Sequence, residues 1–135
     1  MYLLDSNICI DFMRGKLPLA YRRFQESDPH MFAIPAVVEA ELLYGAEHSK
    51  HPEKNRAVVE AFLTPFRIVP FDDPAARIYA TIRADLASKG MPIGPNDLLI
   101  AATALSVGGV LVTNNVGEFK RVPNLRVESW GEADW

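Results

Sequence analysis

Hydrophobic positions follow two alternating rhythms along this chain. Short apolar runs, each bounded by Gly, Pro or an Asx residue, read as buried strands. They fall at residues 2–4 before Asp5, 32–34 before Pro35, 67–69 before Pro70, 110–112 after Gly108 and Gly109, and 125–127. Between them the period lengthens to that of a helix. Over 74–88 the apolar positions Ala75, Ile78, Tyr79, Ile82 and Leu86 keep a 3.6-residue spacing. Asp72 or Asp73 can cap this helix, Pro74 suits its first turn and Gly90 lies just past its end. Further helices are predicted over 36–48, over 52–63, and from 95–97 to a point before Gly108. The last is apolar nearly all round, which predicts burial. Residues 49–55 read as a helix–helix turn, and a first helix carries Cys9 on an apolar side. Strands alternating with helices predict an α/β fold: three layers, α-β-α, around a short, mainly parallel sheet of about five strands. At 135 residues the expectation is a single domain, 1–135.

Composition narrows the class. The most apolar stretch, 98–112, is interrupted by Thr103, Ser106, Gly108 and Gly109. It falls short of the roughly 20 apolar residues that a bilayer needs. The first residues carry no basic cluster and place a carboxylate at position 5, unlike a signal peptide. One cysteine, Cys9, excludes an internal disulfide framework and a Cys-rich zinc site. These features predict a cytoplasmic protein. The net charge of −3 argues against holding nucleic acid by bulk charge. It does not exclude an enzyme that concentrates its acids in a site.

The carboxylates carry the chemistry. In open parallel sheets, ligands bind beyond the carboxyl ends of the strands. Asp5 follows the first run; Thr113, Asn114, Asn115 and then Glu118 follow the fourth. On the 36–48 helix, Glu41 falls beside the apolar stripe, whereas Glu39 and Glu47 can face water. Asp97 opens the buried helix. Each has an ordinary reading alone: a turn or cap for Asp5, a salt bridge or stripe edge for Glu41, a dipole partner for Asp97, a surface acid for Glu118. Together they predict a convergent acidic cluster, which would repel itself without a cation. Oxygen-only ligands select Mg²⁺ or Mn²⁺, and such sites perform phosphoryl chemistry.

The motifs resemble the PIN-domain ribonuclease toxins of the VapC family. The matching runs are Leu4-Asp5-Ser6-Asn7, Ala40-Glu41-Leu42-Leu43-Tyr44-Gly45, Ile93-Gly94-Pro95-Asn96-Asp97-Leu98 and Val112-Thr113-Asn114-Asn115-Val116-Gly117-Glu118-Phe119, with Val127-Glu128-Ser129-Trp130 as the last strand. The resemblance spans residues 2 to about 130, in order. It implies the toxin of a type II toxin–antitoxin pair, an endoribonuclease dependent on Mg²⁺ with Mn²⁺ substituting. The substrate class is structured RNA, such as a tRNA anticodon loop. It implies Asp5, Glu41 and Asp97 as catalytic metal ligands. Many relatives carry an aspartate where Asn115 stands, so Glu118 is taken as the fourth ligand. Ser6, which replaces the commoner Thr, joins Asn7, Asn96, Thr113 and Asn115 as supporting residues. The implied partners are a VapB-type antitoxin, a second copy in a homodimer, and a heterotetramer or larger assembly with the antitoxin. Arg14, Lys16, Arg22, Arg23 and the stretch 48–56 are candidate RNA contacts.

Three other readings stand beside this one. An aspartyl-phosphate enzyme or phosphoreceiver needs a second Asp or a late-strand Lys, and position 7 is Asn while 112–114 hold no Lys. A non-catalytic binding module would have lost the acids, which are present. A DNA-directed nuclease remains open, because metal and carboxylates do not read the 2′-hydroxyl. His30, His48 and His51 lack a spacing suited to zinc or catalysis and read as surface residues.

Overall fold

The computed structural model describes residues 1–16 and 26–130. Arg22 and Arg23, two of the basic candidates, lie outside the described residues. Elements follow in the order β1 (Tyr2–Leu4), α1 (Ser6–Met13), β2 (Phe32–Pro35), α2 (Ala36–Glu47), α3 (Pro52–Leu63), β3 (Arg67–Val69), α4 (Asp73–Ser88), α5 (Pro95–Ser106), β4 (Val110–Val112), α6 (Val116–Phe119) and β5 (Arg126–Glu128). The strands form one sheet in the order β3-β2-β1-β4-β5. Every pairing is parallel, so the sheet is wholly rather than mainly parallel.

Successive strand residues point to opposite faces of a sheet. In β1, Leu3 and Leu4 are both fully buried, as are Leu111 and Val112 in β4. Both faces of the central strands are therefore covered, which explains why their sequence shows no polar alternation. Helix α5 buries Leu98, Ile100, Ala101, Ala102, Thr103 and Ala104, the all-round burial its sequence predicts. It packs along α4, which is capped by the Asp72 carboxylate accepting from the Ala75 N–H at 3.3 Å. Helix α4 buries Ala75, Ile82 and Leu86 of the predicted stripe and begins at Asp73, one residue early. Helices α2 and α3 pack together across a tight turn. There the Ser49 hydroxyl donates to the Ala46 carbonyl at 2.6 Å and accepts from the Asn55 side chain at 2.8 Å.

The last strand starts one residue later than its apolar run. Asn124 adopts the left-handed conformation, φ 67°, and Leu125 N–H still bonds back to the Val122 carbonyl at 3.4 Å. Leu125 therefore belongs to the turn, and Glu128 takes the end of the ladder opposite Val112.

Gly109 shows how closely β4 is fitted to β1. A Cβ there would collide with Leu3 Cδ1 and sit 3.2 Å from the Met1 carbonyl oxygen. Leu3 is fully buried and has no room to swing away. Gly109→Ala is expected to destabilise the fold by about 1–3 kcal/mol through overpacking. Thermal unfolding measures this, and an unchanged Tm would mean that the edge of the core is looser than this packing.

Candidate active site

Strand order reverses at β1, since β2 lies on one side and β4 on the other. Such switch points open a crevice beyond the strand ends. Asp5 continues β1 into it. Its N–H bonds the Val112 carbonyl at 2.9 Å, extending the β1–β4 ladder by one residue. Its side chain is 3% exposed, rare for a carboxylate. Oδ1 accepts from the Ser6 N–H at 2.8 Å. Oδ2 accepts from the Thr113 hydroxyl at 2.7 Å and the Asn7 side chain at 3.4 Å. Burial pushes the Asp5 carboxyl above its ordinary range, against the pull of Thr113 and Ser6. Thr113 is itself buried, and its Oγ1 accepts from the Asn115 N–H at 3.0 Å.

Glu41 comes from the middle of α2 and is half-buried. Its Oε2 lies 3.5 Å from the Asn96 amide nitrogen, at the edge of hydrogen-bonding range. Its Oε1 is buried with no hydrogen-bond partner. Burial raises its carboxyl, Asn96 opposes the rise and the charge of Asp5 adds to it. Glu39, read from the sequence as water-facing, is half-buried. Glu47 is exposed and pairs with Arg56, which removes Arg56 from the free basic candidates.

Asp97 and Glu118 face one another. Asp97 stands in the first turn of α5. Glu118 stands in α6, where Oε1 accepts from the Gly94 N–H at 2.8 Å and Oε2 from the Asn115 amide. The Gly94 bond above all holds the Glu118 carboxyl low, with Asp97, Asn115 and Arg121 adding to the effect. Asp97 is pushed up to about 7, first by burial, then by its bond to Glu118 and by the charges of Glu118, Asp5 and Glu41. Below about pH 7 Asp97 therefore holds a proton beside the charged Glu118.

Four elements therefore bring Asp5, Glu41, Asp97 and Glu118 within electrostatic reach. Among the described residues, no three His, Cys, Asp or Glu side chains stand already grouped as metal ligands. The protein's own donors hold these oxygens instead: Ser6 and Thr113 on Asp5, Gly94 and Asn115 on Glu118. Sequence reasoning missed two contributors. The Gly94 amide, lying in a quoted motif, gave no sign of its direction. Asn114 donates through its N–H to Asn7 Oδ1 at 3.2 Å and through its side chain to Asp11 at 3.0 Å, tying β4's end to α1. The placement of Asp11 one helical turn beyond Asn7 was the available signal. Of the basic candidates, exposed Arg14 lines a hollow of about 420 Å³ together with Glu41, Gly45, Ser49 and Asn55. Lys16 is exposed and outside that lining.

A parallel α/β domain with acids gathered at its switch point belongs to a recognisable class. The family model described as "PIN domain" matches residues 2–125. The chain is 43% identical to the tRNA(fMet)-specific endonuclease VapC of Salmonella typhimurium, covering 96% of this chain and 97% of that one. It is 41% identical to the ribonuclease VapC2 of Rickettsia felis, over 96% and 98%. The DNA-bound VapBC structure from Salmonella typhimurium superposes with a TM-score of 0.90 at 43% identity, covering 96% and 97%. VapBC2 of Rickettsia felis bound to a promoter DNA fragment follows at 0.88 and 38%, covering 96% and 98%. The chain belongs to the PIN-domain family, in its VapC ribonuclease branch. Among the described residues no helix is long and apolar enough to cross a membrane.

Proposed function

We propose that this chain, acting as one PIN domain over 1–135, is the toxin of a toxin–antitoxin pair and hydrolyses phosphodiester bonds of structured RNA at a divalent-metal site. The carrying observation is the set of four carboxylates that α1's cap, α2, α5 and α6 bring together beyond β1 and β4. None of them takes part in a salt bridge among the described residues.

The residues fit an oxygen-loving ion such as Mg²⁺ or Mn²⁺. The donors are all carboxylate. Glu41 Oε1 is buried and unpartnered. Gly94 leaves open the place where a Cβ would lie 3.4 Å from Asp97 Oδ2 and 3.8 Å from Glu118 Oε1. Asp5, Glu41, Asp97 and Glu118 would hold the ion. When bound, it supplies an activated water and offsets charge on the leaving oxygen. Thr113 and Ser6 fix the Asp5 carboxylate; Gly94 and Asn115 fix Glu118; Asn96 steadies Glu41; Asn7 ties Asp5 to the β4 end through Asn114. Asp97 must release its proton for all four acids to be charged.

Relatives named as tRNA(fMet)-specific endonucleases support a tRNA substrate; the anticodon loop as the cleaved region rests on the family resemblance alone. Relatives solved as VapBC complexes support neutralisation by a VapB-type antitoxin. A homodimer in the cytoplasm, assembling into a heterotetramer or larger with the antitoxin, completes the reading.

The test uses antitoxin-free protein and total bacterial RNA, with Mn²⁺ or EDTA, comparing wild type, Glu41→Gln and Glu53→Gln. Glu53 is exposed on α3 and serves as the control. Discrete cuts with 5′-phosphate and 3′-hydroxyl ends are expected for wild type and Glu53→Gln in Mn²⁺ only, and none for Glu41→Gln. Cleavage of single-stranded DNA but not RNA would shift the reading to a DNA nuclease. RNA binding without cleavage would leave a binding module.

A further inference from the structure

On the ribonuclease reading above, we propose that Tyr44, backed by His48, is a stacking platform for one unpaired RNA base beside the scissile phosphate. Tyr44 is 66% exposed, more than any other large apolar side chain described. Its ring lies nearly parallel to that of His48, with centroids 5.6 Å apart and planes 8° apart. Stacked behind Tyr44, His48 braces the ring in one orientation.

Their place on α2 is what ties them to the site. Tyr44 is three residues beyond Glu41 and His48 seven, so all three share one stripe of the helix. Cβ atoms three apart on a helix are about 5–6 Å apart. The stripe begins at an acid that borders Asn96 and feels the charge of Asp5, and it runs outward into solvent. Gly45 keeps the flank open, since nothing lies within 4 Å of where its Cβ would be.

The fold makes no use of these rings. Helix α2 packs through Val38, Leu42 and Ala46, a stripe from which Tyr44 is turned away. A solvated ring pair at this spacing adds little to helix stability. An exposed π surface next to phosphate-cutting acids suits a nucleobase. Every base has a flat face, and stacking needs no positive charge from a chain of net charge −3. Single-stranded loops, whose bases can splay out onto aromatic side chains, are the RNA elements that such a surface reads.

The experiment is steady-state cleavage of a short RNA spanning the mapped cut, with 2-aminopurine next to the cleaved bond. Wild type, Tyr44→Ala and Tyr44→Phe are compared. Tyr44→Ala is expected to raise KM about tenfold or more while kcat stays within about twofold. Tyr44→Phe should behave as wild type. Wild type should quench 2-aminopurine on binding, and Tyr44→Ala should not. Tm and elution volume should not move. Equal KM values, or a loss in kcat with KM unchanged, would overturn the platform alone. So would a KM rise accompanied by a changed elution volume, which would assign this face to contact between copies. A wild type that cuts no RNA would overturn the ribonuclease reading and the platform together.

Discussion

Asp5→Asn abolishes RNA cleavage, lowering kcat by roughly a thousandfold or more, while the metal-free protein unfolds at the same temperature or higher. Both halves follow from the surroundings of this carboxylate. It is 3% exposed, and burial already pushes its carboxyl toward the neutral form. A neutral amide of the same shape removes the desolvation cost of the charge. Its oxygen still accepts from the Ser6 N–H, and its NH₂ faces the Thr113 hydroxyl, which accepts as readily as it donates, so that only the long 3.4 Å bond from the Asn7 side chain is lost. What disappears is one of the negative charges that would hold the divalent ion, and with it part of the ion's effect on the attacking water and the leaving oxygen. Loss of several kcal/mol of charge stabilisation corresponds to three or more powers of ten in rate. Single-turnover cleavage and thermal unfolding of the same preparation give both values. A fall in Tm of many degrees would mean that Asp5 holds the fold together, and that the lost activity says nothing about catalysis.

The second expectation concerns pH. Asp97 has a folded pKa of about 7 against 3.8 for the ordinary group, so between these values the folded chain holds more protons than the unfolded one. Its contribution to metal-free stability is fully present below 3.8 and is lost as pH rises through about 7. Asp5 and Glu41, both raised, act in the same direction. Glu118, lowered, opposes them only in acid. A divalent ion reverses the trend, because it competes with the Asp97 proton. Below pH 7 its affinity should climb roughly tenfold per pH unit and level off above. At a fixed millimolar concentration, Mn²⁺ should therefore raise Tm little at pH 6 and strongly at pH 8. Asp97→Asn should flatten this dependence. Calorimetric titration in buffers of different ionisation enthalpy counts the released proton directly. An Mn²⁺ effect that is equal at pH 6 and 8 would refute the proton held by Asp97 beside Glu118.

The sheet and the Asp5–Thr113 half of the site were legible for one reason. Residues 2–4 and 110–112 are apolar without alternation, so they could only be central parallel strands, and their next residues had to meet at the carboxyl edge. Asp97 was legible because a carboxylate at the start of an otherwise apolar helix has few places to go. Glu118 was harder. Its direction depends on the Gly94 amide, and loop amides leave no periodic trace. Glu39 misled because the helical wheel treats one side as open, whereas α2 is flanked by α1, α3 and the sheet. The wheel could place Tyr44 and His48 on the stripe of Glu41, but not show that their rings stack.

The bond between Asp5 and Thr113 spans 108 residues. During synthesis at about 5–20 residues per second, Asp5 is joined to the chain roughly 5–20 s before Thr113 is. A chain released early, or still being made, carries the first acid without the strand beside it or the hydroxyl that orients it. The last third of the chain, which supplies Asp97, Thr113 and Glu118, is thus what completes the site. A chain cut short before residue 97 keeps Asp5 and Glu41 but lacks the two acids and the hydroxyl that complete the cluster.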